Sequence, residues 1–208
     1  MTSSRRIGAP DAKNRTVLLD AAEQLMLEKG YAAVTSRRVA ERAGLKPQLV
    51  HYYFRTMDDL FLEMFRRRAE EGLAIQAEVV RSDKPLRALW EFSIDPAAVA
   101  VTTEFIALAR HRDALRREIA RYSELFRTGQ RDAARAALAR SGYDMARLPP
   151  VVVSVLMTSI SRVVVMEEAL GLTAGHAETF ELVEWCLSVL ERDVEPPGDR
   201  SGRHRDHV

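Results

Sequence analysis

Gln48, His51, Tyr52 and Arg55 follow Pro47 at spacings of three and four residues. On a helix they share one face and set hydrogen-bond donors and acceptors side by side. Leu49, Val50, Tyr53 and Phe54 then form the opposite, inward stripe. A polar row of this kind suits the base edges of a DNA major groove, which admits one α-helix. Other chemistry finds no support. The sequence has no nucleophile–base pair, no paired carboxylates and no Gly-rich phosphate loop, so no enzyme is expected. His111, His176, His204 and His207 lack metal-ligand spacing, so neither a metal site nor a cofactor is expected. Cys186 stands alone on an apolar stripe and reads as inert core, in keeping with a reducing compartment.

The elements that must hold this row are all helical. Val17, Leu18, Ala21, Ala22 and Leu25 repeat with a period near 3.6 and predict a first helix over about 13–29, closed by Gly30. Thr35 offers an N-terminal cap to a short helix with Val39, Ala40 and Ala43 inward, which Gly44 ends. Pro47 suits the first turn of the next helix. The pair joined by 44–46 is a helix-turn-helix, which holds the second helix proud of the body. Thr56-x-x-Asp59 resembles a capping box and starts a long helix toward Val80. Further helices are expected over about 86–94, 96–111, 113–140, 150–170 and 176–192. No alternating strand pattern survives. The reading is an all-α chain: a DNA-binding head at 1–57, a helical body at 58–193 and a disordered tail at 194–208.

The 208 residues carry 31 basic and 30 acidic side chains, an ordinary globular composition with net charge +1. The balance is uneven along the chain. Residues 1–57 hold ten basic and five acidic residues, a charge of +5, and the remainder is −4. A basic head on an acidic body points to an anionic partner at one end. The polar N-terminus has no apolar stretch behind its charges and does not read as a secretory signal. Residues 148–166 are very apolar, yet contain Arg162 and several hydroxyls, and read as a buried helix rather than a membrane span. A cytoplasmic protein is expected.

The head resembles the DNA-binding domain of the tetracycline-repressor (TetR) family of bacterial transcription regulators. The resemblance rests on Leu18, Ala21, Ala22, Leu25, Gly30, Tyr31, Thr35, Val39, Ala40, Ala43, Gly44, Tyr53, Phe54 and Leu60, and covers about 15–65 in register. It implies phosphate contacts at Thr35 and Arg37, and a recognition helix presenting Lys46, Gln48, His51 and Tyr52. It implies a further phosphate contact at Thr56. The chain departs from the family pattern at Gln48, usually a small residue, at His51, usually Tyr, and at Met57, commonly Lys. Glutamine can pair adenine with two hydrogen bonds, so Gln48 is the expected base reader. Arg5, Arg6 and Lys13 are candidates for an arm along the DNA backbone, and also fit a solvated tail.

In the body, Trp90, Phe105, Tyr122, Phe126, Met157 and Ile160 serve equally as a filled core and as pocket walls. The resemblance implies a pocket for a small, mostly apolar effector. Glu104, His111, Tyr122 and Arg162 read as solvated or structurally paired. The last two helices are apolar over more than one stripe and need covering on more than one side. The resemblance makes that seam a homodimer interface, with Val155, Ser159, Arg162, Val163, Phe180, Val183 and Leu187 as its candidates. Two recognition helices would then meet a near-palindromic operator on double-stranded DNA, about 34 Å apart. The expectation is a ligand-responsive regulator, a repressor released by its effector. The rivals are a small helical enzyme and an interaction module whose basic head binds an acidic protein.

Overall fold

The computed structural model describes residues 9–191. Every regular element among them is helical. The α-helices are α1 (Ala9–Lys29), α2 (Ser36–Arg42), α3 (Pro47–Tyr53), α4 (Met57–Val79), α5 (Pro85–Ser93), α6 (Pro96–Ala109), α7 (Asp113–Arg140), α8 (Pro150–Ala169) and α9 (His176–Leu190). A 3-10 turn, Tyr31–Ala33, joins α1 to α2. The first helix begins four residues earlier than the apolar stripe predicts, because its opening turn has no core-facing pattern to read. Arg5, Arg6, the tail from 194, and with it His204 and His207, lie outside the described residues. Lys13 lies inside α1 and is exposed, so it is part of a helix rather than of an arm.

The helix boundaries follow local chemistry. Thr35 Oγ1 accepts the Arg38 N–H at 3.4 Å and caps α2. Gly44, with φ +65°, turns the chain out of α2. There the Leu45 N–H reaches the Ala40 carbonyl at 2.9 Å and the Gly44 N–H reaches that of Glu41 at 3.2 Å. This paired closure satisfies the last carbonyls of α2 and needs a left-handed residue at its centre, which glycine adopts without strain. The expected capping box is present: Thr56 Oγ1 accepts the Asp59 N–H at 3.1 Å and Asp59 Oδ2 accepts the Thr56 N–H at 3.0 Å. Asp95 caps α6 through the N–H groups of Ala97 and Ala98.

Two apolar cores result. The first joins Leu18, Ala22, Met26, Val39, Val50 and Phe54 of the head to Leu60, Phe61 and Met64 of α4, and to Val101, Phe105 and Leu108 of α6. Packing therefore runs through residue 57 without a gap. The second joins α5, the C-terminal half of α7, α8 and α9 around Leu86, Leu89, Trp90, Ala134, Leu138, Met157 and Leu187. Leu18, Val39 and Leu60 are fully enclosed, and truncating one such side chain to alanine typically costs about 2–5 kcal/mol for leucine and less for valine.

The burial expected for 148–166 is met on one side. Val153, Ser154, Met157, Ser161, Val164 and Val165 face the core, whereas Val151, Val155, Leu156, Val163 and Met166 are exposed. By length and composition α8 is apolar enough to cross a membrane. Its core-facing side is nonetheless committed to the chain's own packing.

Candidate nucleic-acid interface

The site is built on the seven residues of α3. Pro47 opens the helix, where its missing N–H is no loss, and Lys46 precedes it. Val50 and Phe54 are buried and pin the inner face to the first core. Lys46, Gln48, His51, Tyr52 and Arg55 are all exposed. Tyr52 is 59% exposed, with its ring set edge-on against Tyr53 at 5.0 Å. Gln48, His51 and Tyr52 thus share the outward face that the spacing predicts, whereas Arg55 lies past the end of α3, because the backbone turns extended at Phe54 (φ −127°), and is not part of the helical row.

The flanking candidates lie at the starts of the helices before and after α3 in the chain. Thr35 and Arg37 stand at the start of α2, both exposed, and Arg38 beside them is exposed too. Thr56 caps α4, three residues after α3 ends. Its cap engages Oγ1 as an acceptor, which leaves the hydroxyl proton to donate to a phosphate oxygen. Arg42, by contrast, is held back. Its guanidinium donates to both carboxylate oxygens of Glu28, at 2.8 and 2.6 Å. That hydrogen-bonded pairing raises the Arg42 pKa and lowers that of Glu28. Arg15 is likewise engaged with Glu63 at 2.8 Å. Arg38 is an exposed cation of the head that the sequence reading passes over; its place beside Arg37 is the available signal.

Ion pairs fasten the head to the long helix behind it. Arg67 of α4 donates to Asp20 at 2.6 Å and to Glu23 at 2.9 Å on α1. Arg68 reaches Glu23 at 3.1 Å. Arg112, before α7, donates to Asp58 at 2.6 Å and lies 5.6 Å from the Phe61 ring centroid. Ion pairs near the surface are individually weak, but a part-buried network sharing Arg67 and Glu23 holds α1 on α4.

The candidate ligand residues do not converge on one chamber. Phe105 belongs to the first core, edge-on to Phe65 at 5.3 Å. Trp90, Met157 and Ile160 belong to the second, where Trp90 meets Phe180 at 6.1 Å. Tyr122 lies between, its hydroxyl donating to Glu70 at 2.9 Å and its ring 5.7 Å from Phe65. Burial, then the Glu70 carboxylate, pushes the Tyr122 pKa up. Phe126 is half-buried beside Gly72 of α4. Next to it Gln76 is 3% exposed; its Nε2 donates to the Phe126 carbonyl at 3.2 Å, while Oε1 is buried without a hydrogen-bond partner. Nothing near Gln76 in the sequence singles it out, because a lone glutamine on a charged helix reads as solvated. A cleft of about 340 Å³ opens elsewhere, between head and body, walled by Tyr31, Thr35, Met57, Phe61, Leu108 and Arg112.

The dimer candidates divide in the same way. Val155, Ser159, Arg162 and Val163 lie on the exposed side of α8. Leu187 is buried in the chain's own second core, and Phe180 and Val183 pack against that core. On α9 the bare apolar residues are Leu182, 57% exposed, and Trp185, 62% exposed.

Residues 18–64 match the family model for "Bacterial regulatory proteins, tetR family". The chain is 27% identical to the HTH-type transcriptional repressor KstR2 of Rhodococcus jostii over 106 residues, 51% of this chain and 52% of the relative. It is 33% identical to the HTH-type transcriptional regulator BetI of Brucella anthropi over 81 residues, 38% of this chain and 41% of the relative. The chain spans about half the length of the curated relatives it matches. The fold is similar to a TetR transcription regulator from Haloarcula marismortui, with TM-score 0.70, 18% identity and coverage of 85% and 96% of the two chains. It is also similar to Salmonella enterica GusR, with TM-score 0.68, 17% identity and coverage of 89% and 99%. The head at 18–64 thus matches the tetR family model of bacterial regulatory proteins, and the described residues share the fold of these solved structures.

Proposed function

We propose that the chain is a DNA-binding transcriptional regulator, not an enzyme, that acts as a homodimeric repressor on a near-palindromic operator in the cytoplasm. The observation that carries this is the exposed row of Gln48, His51 and Tyr52 on a short helix, with Arg55 exposed just past its end, pinned from behind by Val50 and Phe54. In this reading Gln48 reads a base edge, and Tyr52 contacts a phosphate or a thymine methyl group. Thr35, Arg37, Lys46, His51 and Thr56 hold the backbone. The repressor name of a relative supports the sign of regulation.

The homodimer is supported by the bare apolar sides of α8 and α9. Val155, Leu156, Val163, Leu182 and Trp185 are large apolar side chains left exposed on these two helices. A second copy packing α8 and α9 into a four-helix seam would cover them. Arg162, in the middle of the exposed side of α8, argues against lipid as the cover.

A small, mostly apolar effector is proposed to enter the body between α4 and α7 beside Tyr122 and Phe126, with Trp90, Met157 and Ile160 filling the second core rather than walling that site. Phe105, on the head side, serves the shared core instead. The unpartnered Oε1 of Gln76 beside Phe126 supports a ligand that brings a hydrogen-bond donor to an otherwise apolar site. Release from DNA follows if the effector prefers the conformer that holds the two heads out of register.

Selection of DNA from a random pool by the purified protein tests the central reading. Recovery of a palindrome with half-sites about one helical turn apart supports it. An absence of enriched sequence at any salt concentration, in protein unfolded and refolded to strip bound effector, contradicts it.

A further inference from the structure

Glu104 sits on α6, in the body, yet its carboxylate reaches the head. Oε2 accepts the Tyr31 N–H at 2.6 Å across 73 positions of sequence. That N–H opens the 3-10 turn between α1 and α2, and the residue before it, Gly30, has no side chain to cap it. Helix-type turns leave their first N–H groups unpaired, and a carboxylate is the strongest partner available to them. The corner is also shaped around this carboxylate. Gly30 adopts φ +73°, and a Cβ there would stand 3.3 Å from Glu104 Oε2 and 3.6 Å from Oε1. Any side chain at position 30 would therefore be strained and would crowd the carboxylate.

The two ends of this contact are each anchored. On the body side, the next residue, Phe105, is 2% exposed and packs edge-on against Phe65 at 5.3 Å, which fixes the rotation of α6. On the head side, the Ala33 N–H closes onto the Gly30 carbonyl at 3.1 Å, and Val34 is buried. Thr35 then caps α2 directly. A displacement of the Gly30–Tyr31 corner is thus passed to α2, and through the Gly44 turn to α3. The ion pairs of Arg67 and Arg68 fix α1 to α4, and that of Arg112 fixes the start of α7 to α4.

We propose that Glu104 is a positioning residue for DNA binding, a latch from α6 that sets the orientation of α2 and α3 on the body. This rests on the regulator reading above. A head held in one orientation binds at its intrinsic affinity, whereas a head that is competent only part of the time binds more weakly by that fraction.

The test compares the full chain with Glu104→Ala and Glu104→Gln. Glutamine keeps a neutral acceptor for the Tyr31 N–H, and alanine removes it. Spin labels are placed on α2 and α7 through Glu41→Cys and Glu124→Cys in a Cys186→Ser background. Labelled protomers are diluted into unlabelled protein, and electron–electron resonance gives the head-to-body distance within one chain. Circular dichroism checks that each variant keeps its helices. The expected result is a narrow distance distribution in the parent, a broad one in Glu104→Ala and a largely restored one in Glu104→Gln. Affinity for the selected DNA should fall on the order of ten-fold in Glu104→Ala, with much of the loss recovered in Glu104→Gln. An unchanged distribution in Glu104→Ala overturns the latch. So does a broadened distribution with unchanged affinity. Failure of the parent to bind any selected DNA would overturn the regulator reading and, with it, the role in DNA binding, while the distances separately decide whether Glu104 holds the corner.

Discussion

The ring of Tyr52 stands edge-on to that of Tyr53, with centroids 5.0 Å apart and planes at 84°. Tyr53 packs against the first core, so an exposed tyrosine on the candidate DNA face is braced by a neighbour anchored inside. Aromatic pairs of this geometry contribute about 0.5–1.5 kcal/mol beyond their buried area. The side chain therefore loses less freedom on binding than an unbraced one would.

This brace separates ring from hydroxyl. Tyr52→Phe should retain the orientation and any thymine contact while losing a phosphate hydrogen bond. Tyr52→Ala should lose both, weakening operator binding by about 1–2 kcal/mol more than Tyr52→Phe. Fluorescence anisotropy across a salt series checks this. Equal losses in the two variants would assign the whole effect to the hydroxyl.

The body carries a pH-sensitive tie between α4 and α7. Glu118 accepts from Arg121 at 3.0 and 3.1 Å and from Arg66 at 2.7 Å, and these hydrogen bonds hold its carboxyl down to about 2. A carboxyl lowered in the folded state stabilises the fold above its ordinary pKa, and the contribution fades as pH falls toward the folded value. Urea unfolding followed from pH 5 to pH 2.5 should show a steeper loss of stability in the parent than in Glu118→Gln. Parallel curves would show that the tie adds nothing to the fold.

The bare side of α8 and α9 should govern assembly. Val163, 52% exposed, and Trp185, 62% exposed, lie on it. Sedimentation should find the parent as a dimer. Val163→Glu with Trp185→Glu should weaken association on the order of a hundred-fold or more, because each buries a carboxylate in an apolar seam. A monomeric parent, or a double variant that dimerises as before, would contradict the proposed seam.

Most of the fold could be read from the sequence because its boundaries are local. Thr56 and Asp59, Asp95 with Pro96, and Gly44 each act within a few residues, so spacing alone locates them. The row of Gln48, His51 and Tyr52 is legible for the same reason: one helix face is set by period 3.6, although the period does not show that the helix stops before Arg55. What stayed hidden depends on distant partners. The carboxylate of Glu104 meets an N–H 73 positions away, and nothing near it in sequence announces that. Phe105 and Trp90 look alike as large apolar residues on successive helices, yet they enter different cores. Nothing in the sequence sets Arg42 apart from Arg37, yet the Glu28 carboxylate, 14 positions away, engages it. For Leu187, apolarity did not tell its own core from a seam, since both exclude water by the same effect.

The central claim is that α3 reads DNA through Gln48. Its most direct test is the affinity of the parent and of Gln48→Ala for the selected operator and for each of its single base-pair variants, at fixed salt. The account predicts a loss of about 1–3 kcal/mol in the variant, with discrimination relaxed at one base pair per half-site and retained elsewhere. Unchanged affinity and unchanged discrimination at every position would contradict it.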